Sequence, residues 1–155
     1  MVVTYGPGFE AARQKIDRLE RALSEVPQVD CPVRHYFAPG LYAREITIPA
    51  GTALVGAVHR VDNLAVLSAG RLRLVVDGKA VEVAAPYVIA CRAGIKNAAV
   101  ALEDAVWTNF LPNPTNEDDT GKLAEMFTES KASDLLGGST NKQLAANKAA
   151  ESIEA

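Results

Sequence analysis

Between residues 33 and 111 the chain changes character every few residues. The segments YAREITIP, ALVGAV, LAVLS, RLRLVV, KAVEV, YVIAC, AAVAL and AVWTNFL follow one another, each bounded by Gly, Pro, Asp or Asn. Such punctuation leaves room for short strands and none for an intervening helix. Eight to nine strands in succession predict a mainly β fold, a single jelly-roll barrel or sandwich. YAREITIP alternates, with Tyr42, Arg44 and Ile46 on one side and Ala43, Glu45 and Thr47 on the other. In VDGKAVEV, Asp77 and Gly78 stand at the centre of a two-residue hairpin turn.

Both flanks read differently. Residues 9–26 place Phe9, Ala12, Ile16, Leu19, Leu23 and Val26 at alternating spacings of three and four, which predicts a helix with one narrow apolar stripe. Pro27 ends it. After residue 111, LPNPTNEDDTGK reads as a polar linker. Leu123, Met126 and Phe127 then share a helical face, with Leu135 and Leu136 further on, until Gly137 and Gly138 break the pattern. The tail, STNKQLAANKAAESIEA, favours helix by propensity but has few large apolar residues, so alone it is marginal. The expected organisation is an N-terminal helical arm (1–30), the β-barrel (31–112), and a linker with a C-terminal helical arm (113–155). A stripe this narrow packs either on its own domain or on a neighbouring subunit. Ile16, Leu19, Leu23, Leu123 and Phe127 are the candidate interface residues.

Composition narrows the possible partners. The 155 residues are 48% hydrophobic, enough to build a core, and carry a net charge of −3 with no Lys/Arg block. Bulk electrostatics thus gives no support to nucleic-acid or anionic-membrane binding. Cys31 and Cys91 are too few for a disulfide scaffold and lack CxxC spacing, so buried free thiols are expected. The first residues lack a basic segment followed by an apolar one, and no apolar run reaches membrane-span length. A soluble protein made in a cytoplasm is the expectation.

The segment GTALVGAVHRVDNLAVLSAG, residues 51–70, carries a specific spacing. The first motif of the cupin superfamily runs Gly-x5-His-x-His-x3-Glu-x6-Gly. Here its glycines fall on Gly51 and Gly70, its two histidines on Ala57 and His59, and its glutamate on Asn63. The second motif, Gly-x5-Pro-x-Gly-x2-His-x3-Asn, aligns its Pro-x-Gly with Arg92 and Gly94, its histidine with Asn97 and its last position with Ala101. The chain therefore resembles a cupin framework in which one of four metal-ligand positions keeps a donor. A transition metal needs about three donors of imidazole, carboxylate or thiolate type. His59 alone does not supply them, so no metal or other cofactor is expected; His35 adds a second donor only if the fold brings it close. Glu103 and Asp104 read as turn residues. Ser68 has no triad partners in sight, and Trp107 reads as core.

Residues 41–109 also resemble a narrower set, the small cupin-like proteins of tailed bacteriophages and prophages. The run ALEDAVWT is the most specific match, followed by APY at residues 85–87 and REITIPAG at residues 44–51. Where that set has Thr-Glu-His, this chain has Val61, Asp62 and Asn63. The resemblance implies a non-enzymatic virion structural protein. A capsid decoration or cement protein comes first and a neck or tail protein second; a metal-dependent cupin enzyme is the rival from another class, and a sugar-binding module a third. It also implies partners: a second or third copy of itself and a phage major capsid protein or other virion protein. The implied location is the virion, assembled in the bacterial cytoplasm.

Overall fold

The structure is a computed structural model that describes residues 7–25, 27–76, 78–129 and 142–144. An N-terminal helix, α1 (Pro7–Ser24), precedes β1 (Val33–Ala38), β2 (Gly40–Ile48), β3 (Ala53–Val55), β4 (Asn63–Ala69) and β5 (Arg71–Val76). Then come β6 (Lys79–Ala84), β7 (Tyr87–Cys91), β8 (Ala98–Ala101) and β9 (Ala105–Asn113), followed by α2 (Thr120–Phe127) and β10 (Lys142–Leu144). One sheet has the order β1-β2-β9-β4-β7 and the other β10-β3-β8-β5-β6. The antiparallel pairs β2/β9, β3/β8, β4/β7 and β5/β6 are nested inside one another. This is the jelly roll: one long hairpin folded over so that alternate pairs fall in opposite sheets. The two sheets remain separate and enclose a cavity, so of the two expected forms, barrel and sandwich, the jelly roll takes the sandwich.

The core lies between the sheets. Ile46, Ile48 and Leu67 from the first sheet meet Leu54, Leu72, Leu74 and Ala99 from the second, all buried. Each fully buried aliphatic side chain of this kind stabilises by roughly 1.5–3 kcal/mol. At the β4–β5 turn Gly70 has φ 81°, and a Cβ there would lie 2.1 Å from the Asp104 carbonyl oxygen. The Asp104 carboxylate in turn accepts a hydrogen bond from the Ala50 amide at 2.8 Å. The Glu103–Asp104 pair thus belongs to a packed turn, as its sequence suggested.

β3 and β8 are buried along their whole length because both faces are covered. Leu54 and Ala99 point to the core, while Ala53, Val55, Ala98 and Val100 receive Ile16 and Leu23 of α1, with Leu19 packed beside them. Small side chains at Ala53 and Ala98 let the helix approach. Lys96 pins it: its ammonium lies 2.6 Å from Asp17 and 3.2 Å from Glu20 on α1. The stripe that was a candidate interface is therefore packed against this chain's own second sheet. The N-terminal arm is part of the body.

The C-terminal side needs the same correction. β9 runs through Pro112 to Asn113, and the residues after it form an ordered turn rather than a loose linker. The Asn113 side chain donates to the Glu117 carbonyl at 2.9 Å and accepts from the Glu117 amide at 3.1 Å. The Asn116 side chain accepts from the Gly40 amide at 2.8 Å. Asp119 caps α2 by accepting from the Gly121 and Lys122 amides. Leu123 and Phe127, the other two interface candidates, are buried against Tyr42 and Leu111. Met126, expected on the same face, is 40% exposed. Within the tail expected to be helical, Lys142–Leu144 pairs with β3 as a strand. The remaining tail, Leu135 to Gly138, Asp77 and Val26 lie outside the described residues.

Replacing Leu23 by Ala is expected to lower unfolding free energy by about 2–5 kcal/mol, read by urea denaturation, while leaving the sedimentation coefficient of the folded protein unchanged. A change of oligomeric state with intact stability would contradict the packing of α1 on β3 and β8.

Candidate functional site

The inner face of the first sheet is assembled from one register. His35 of β1 pairs with Arg44 of β2, Arg44 with Asn109 of β9, Asn109 with Ala65 of β4, and Ala65 with Ile89 of β7. Because side chains alternate along strands, the flanking rows on this face contain Tyr42 and Leu111 on one side, and Ile46, Trp107 and Leu67 on the other. All of these except Ala65 and Leu67 line a cavity of about 250 Å³ between the sheets. Leu54, Leu72 and Leu74 face them from the second sheet, and Leu123 and Phe127 of α2 form a wall.

Several polar groups converge on this apolar space. His35 Nδ1 and the Tyr42 hydroxyl are 2.6 Å apart in a hydrogen bond. Their rings stack at 5.9 Å between centroids, and Tyr42 stacks in turn on Phe127 at 6.2 Å. A chain of side chains crosses the sheet: Trp107 Nε1 donates to Asn109 Oδ1 at 2.9 Å, Asn109 Nδ2 to Asn63 Oδ1 at 2.9 Å, and Asn63 Nδ2 to the Val61 carbonyl at 3.2 Å. Asn97, entering beside β8, has a buried Oδ1 without a hydrogen-bond partner. Arg44 is the one cation among the described lining residues, and none of them is a carboxylate.

The electrostatics follow from burial around that cation. Burial pushes the His59 imidazole down to about 4, and the Arg44 charge pushes the same way. His35 is lowered for the same two reasons in the same order. Burial also lowers Arg44 below its ordinary value, partly opposed by Tyr42. Desolvation raises the Cys91 thiol to about 11, and burial together with Asp30 raises Cys31 to about 12. Both thiols are free, buried and protonated at neutral pH.

The residues at the cupin ligand positions do not make a metal centre. Ala57 and His59 line the cavity, but Ala57 has no donor atom. Asn63 is buried, and its amide is already committed to Asn109 and Val61. Asn97 offers a neutral amide. Among the described residues no group of three or more His, Cys, Asp or Glu side chains is placed to hold a metal ion. The His59 backbone, by contrast, is structural: its carbonyl accepts from the Gly94 amide at 2.9 Å, and the residue bridges to Thr128 after α2. The matched glycine spacing thus describes the framework, since Gly51, Gly70 and Gly94 all have φ near 80°.

Arg44 is the residue that sequence reasoning passed over. It was placed correctly with Tyr42 and Ile46 on one side of β2. The signal was a lone cation on a side otherwise apolar, which is unusual for a solvent face. His35, likewise, is brought into the cavity by β1, the strand without its own sequence signal.

No protein-family model matches the chain, and no curated protein does. Solved structures do. An RmlC-like cupin from Shewanella frigidimarina is 20% identical over 61% of this chain and 88% of that one, with a TM-score of 0.47. KdgF from Halomonas sp. is 18% identical over 57% and 90%, with a TM-score of 0.47. A conserved Streptococcus pyogenes protein of unknown function is 19% identical over 57% and 79%, with a TM-score of 0.46. The nested strand pairing by itself makes the body a jelly roll.

The depressed histidines set a pH dependence. Unfolded His59 binds its proton near its ordinary 6.5, whereas the folded one does so only near 4. The unfolded state therefore holds more protons between these values, and acid favours it. Stability is expected to be full above about pH 6.5 and to fall, by a few kcal/mol at most, as pH drops toward 4. Denaturant titrations at several pH values check this, and His59→Gln should flatten that part of the profile.

Proposed function

We propose that this chain is a non-catalytic virion structural protein of a tailed bacteriophage, built on a cupin-type jelly roll without metal chemistry. The observation that carries the non-catalytic part is the donor set. Ala57, Asn63 and Asn97 stand where ligands would be, and an arginine occupies the same cavity. A metal-dependent cupin enzyme is disfavoured on the same ground.

The virion role is supported by the resemblance over residues 41–109 and by one surface. On the outer face of the first sheet, the row Tyr36, Ala43, Phe110, Leu64 and Ala90 crosses all five strands, with Leu41 and Val88 in the adjacent rows. Tyr36, Leu41, Leu64, Val88 and Phe110 are 46–60% exposed. Contiguous exposed apolar surface marks contact sites. A second copy of this chain suits it. Arg34 and Glu45 pair across β1 and β2 on the same face, so a two-fold related copy can set each against the opposite charge, as a self-complementary contact requires. This face replaces the helices as the self-association surface, and the dimer then binds a capsid, neck or tail protein. Head decoration is the first assignment, with hundreds of copies per particle; a neck or tail location implies about a dozen or fewer.

Three measurements test the reading. Metal analysis of purified protein should find well under one transition-metal ion per chain, and chelator should leave Tm unchanged; a stoichiometric metal lost in His59→Ala would overturn the non-catalytic assignment. Phe110→Asp with Leu64→Asp should convert a dimer to a monomer in analytical ultracentrifugation with the fold intact by circular dichroism. Quantitative mass spectrometry of purified particles should find the chain at a fixed copy number, and its absence from particles would sink the virion role.

A further inference from the structure

The cavity between the sheets is lined by one residue with a polar atom that the protein leaves without a partner. Asn97 stands one residue before β8 and continues its alternation. Lys96 points outward to Asp17 and Glu20 of α1, Ala98 packs under that helix, and Asn97 turns inward like Ala99. Its backbone is fixed, since its carbonyl accepts from the Gly56 amide at 2.9 Å. Its side-chain Oδ1 is buried without a hydrogen-bond partner, and the residue lines the cavity. The neighbouring polar side chains are committed: His35 and Tyr42 to each other, Asn109 to Trp107 and Asn63, and Arg44 within the protein.

A buried acceptor left dry costs free energy, and folded proteins rarely carry one without a water or a ligand to meet it. The space it lines is larger than a single water fills. It measures about 250 Å³, against roughly 150 Å³ for an apolar protein cavity known to take up benzene. Its walls are mainly apolar, with Ile46, Leu54, Leu72, Trp107 and Phe127 among them. The chemistry of Asn97 then selects the ligand. An amide oxygen accepts from an O–H or N–H. A carboxylate has no donor to offer and sets its charge against the oxygen's lone pairs. An ammonium has donors, but among the described residues no carboxylate lines the space to balance it. We propose that the cavity binds a small neutral alcohol with an aromatic or cyclic apolar body, its hydroxyl donating to Asn97 Oδ1 and its body against the leucine and aromatic walls. Such binding is independent of the virion role and requires no metal.

Compounds that share a skeleton test it. Two matched pairs, 1-phenylethanol with acetophenone and cyclohexanol with cyclohexanone, would be titrated into the full chain by calorimetry and thermal shift, together with the 1-phenylethylammonium ion and benzoate. Trp107 is the single tryptophan and lines the cavity, so its emission reports entry. At least one alcohol should bind, raise Tm and change that emission. Its ketone keeps every heavy atom but has no donor, and should bind about threefold to tenfold more weakly, the range of one hydrogen bond. Both ions should bind more weakly than the alcohol. Asn97→Leu, close in volume, should lose the alcohol's advantage over its ketone, while Lys122→Ala, outside the cavity, should keep it. Absence of binding by both alcohols, binding that leaves the Trp107 emission unchanged, or a ketone or ion that binds as tightly as the alcohol would each overturn the proposal. So would a folded Asn97→Leu variant that keeps the advantage. The first three outcomes are read on the unaltered chain, so they decide the matter even where Asn97→Leu does not fold.

Discussion

The ladder between β2 and β9 is the interaction on which the rest depends. It pairs nine consecutive residues, from Gly40 with Asn113 to Ile48 with Ala105. It joins the two ends of the segment from β2 to β9, so β3 to β8 must fold inside it, and the nested pairs follow in turn. Strand periodicity then divides its residues between two environments. Tyr42, Arg44, Ile46, Trp107, Asn109 and Leu111 face the cavity, while Ala43, Glu45, Thr108 and Phe110 face outward. A slip of one residue would exchange the cavity for the outer surface, and the apolar residues on both faces mean that hydrophobic burial alone does not set the register. The local polar contacts help to fix it: the Trp107–Asn109–Asn63 chain inside, the Asn113–Glu117 turn at one end and the Asp104 carboxylate on Ala50 at the other.

Around this ladder the helices act as covers. α1 shields the outer side of β3 and β8, which explains why these short strands contain only apolar residues. α2 seals one side of the cavity. Neither helix has a wide apolar face, and neither needs one, because each covers only two or three strands. The exposed apolar surface is left instead on the first sheet, the one without a helix over it.

The cavity combines turns at a cupin-like glycine spacing with a lining that, among the described residues, holds no metal-ligand set. The glycines that shape the turns remain where the cupin spacing puts them. Ala57, Asn63 and Asn97 offer no strong donor at the matching positions, and Arg44 lines the same cavity. Burial first, and the Arg44 charge second, lowers both cavity histidines below their ordinary value.

The sequence by itself determined the fold class, the strand segments from β2 to β9, both helices and the absence of a sufficient donor set at Ala57, His59, Asn63 and Asn97. These features are local: periodicity, turn residues and side-chain chemistry reveal them without knowledge of neighbours. Tertiary structure decided which side of each strand faces inward, and with it the roles of Arg44 and His35. It also decided that Ile16, Leu19, Leu23, Leu123 and Phe127 pack within the chain. An apolar stripe states only that it must be covered; the cover is chosen by strands distant in sequence, here β3 and β8 for α1, and β2 and β9 for α2. A barrel or sandwich of this size allows an interior pocket, but the same reason left its lining unread, since it is made from residues 35 to 128 that only the nested pairing brings together.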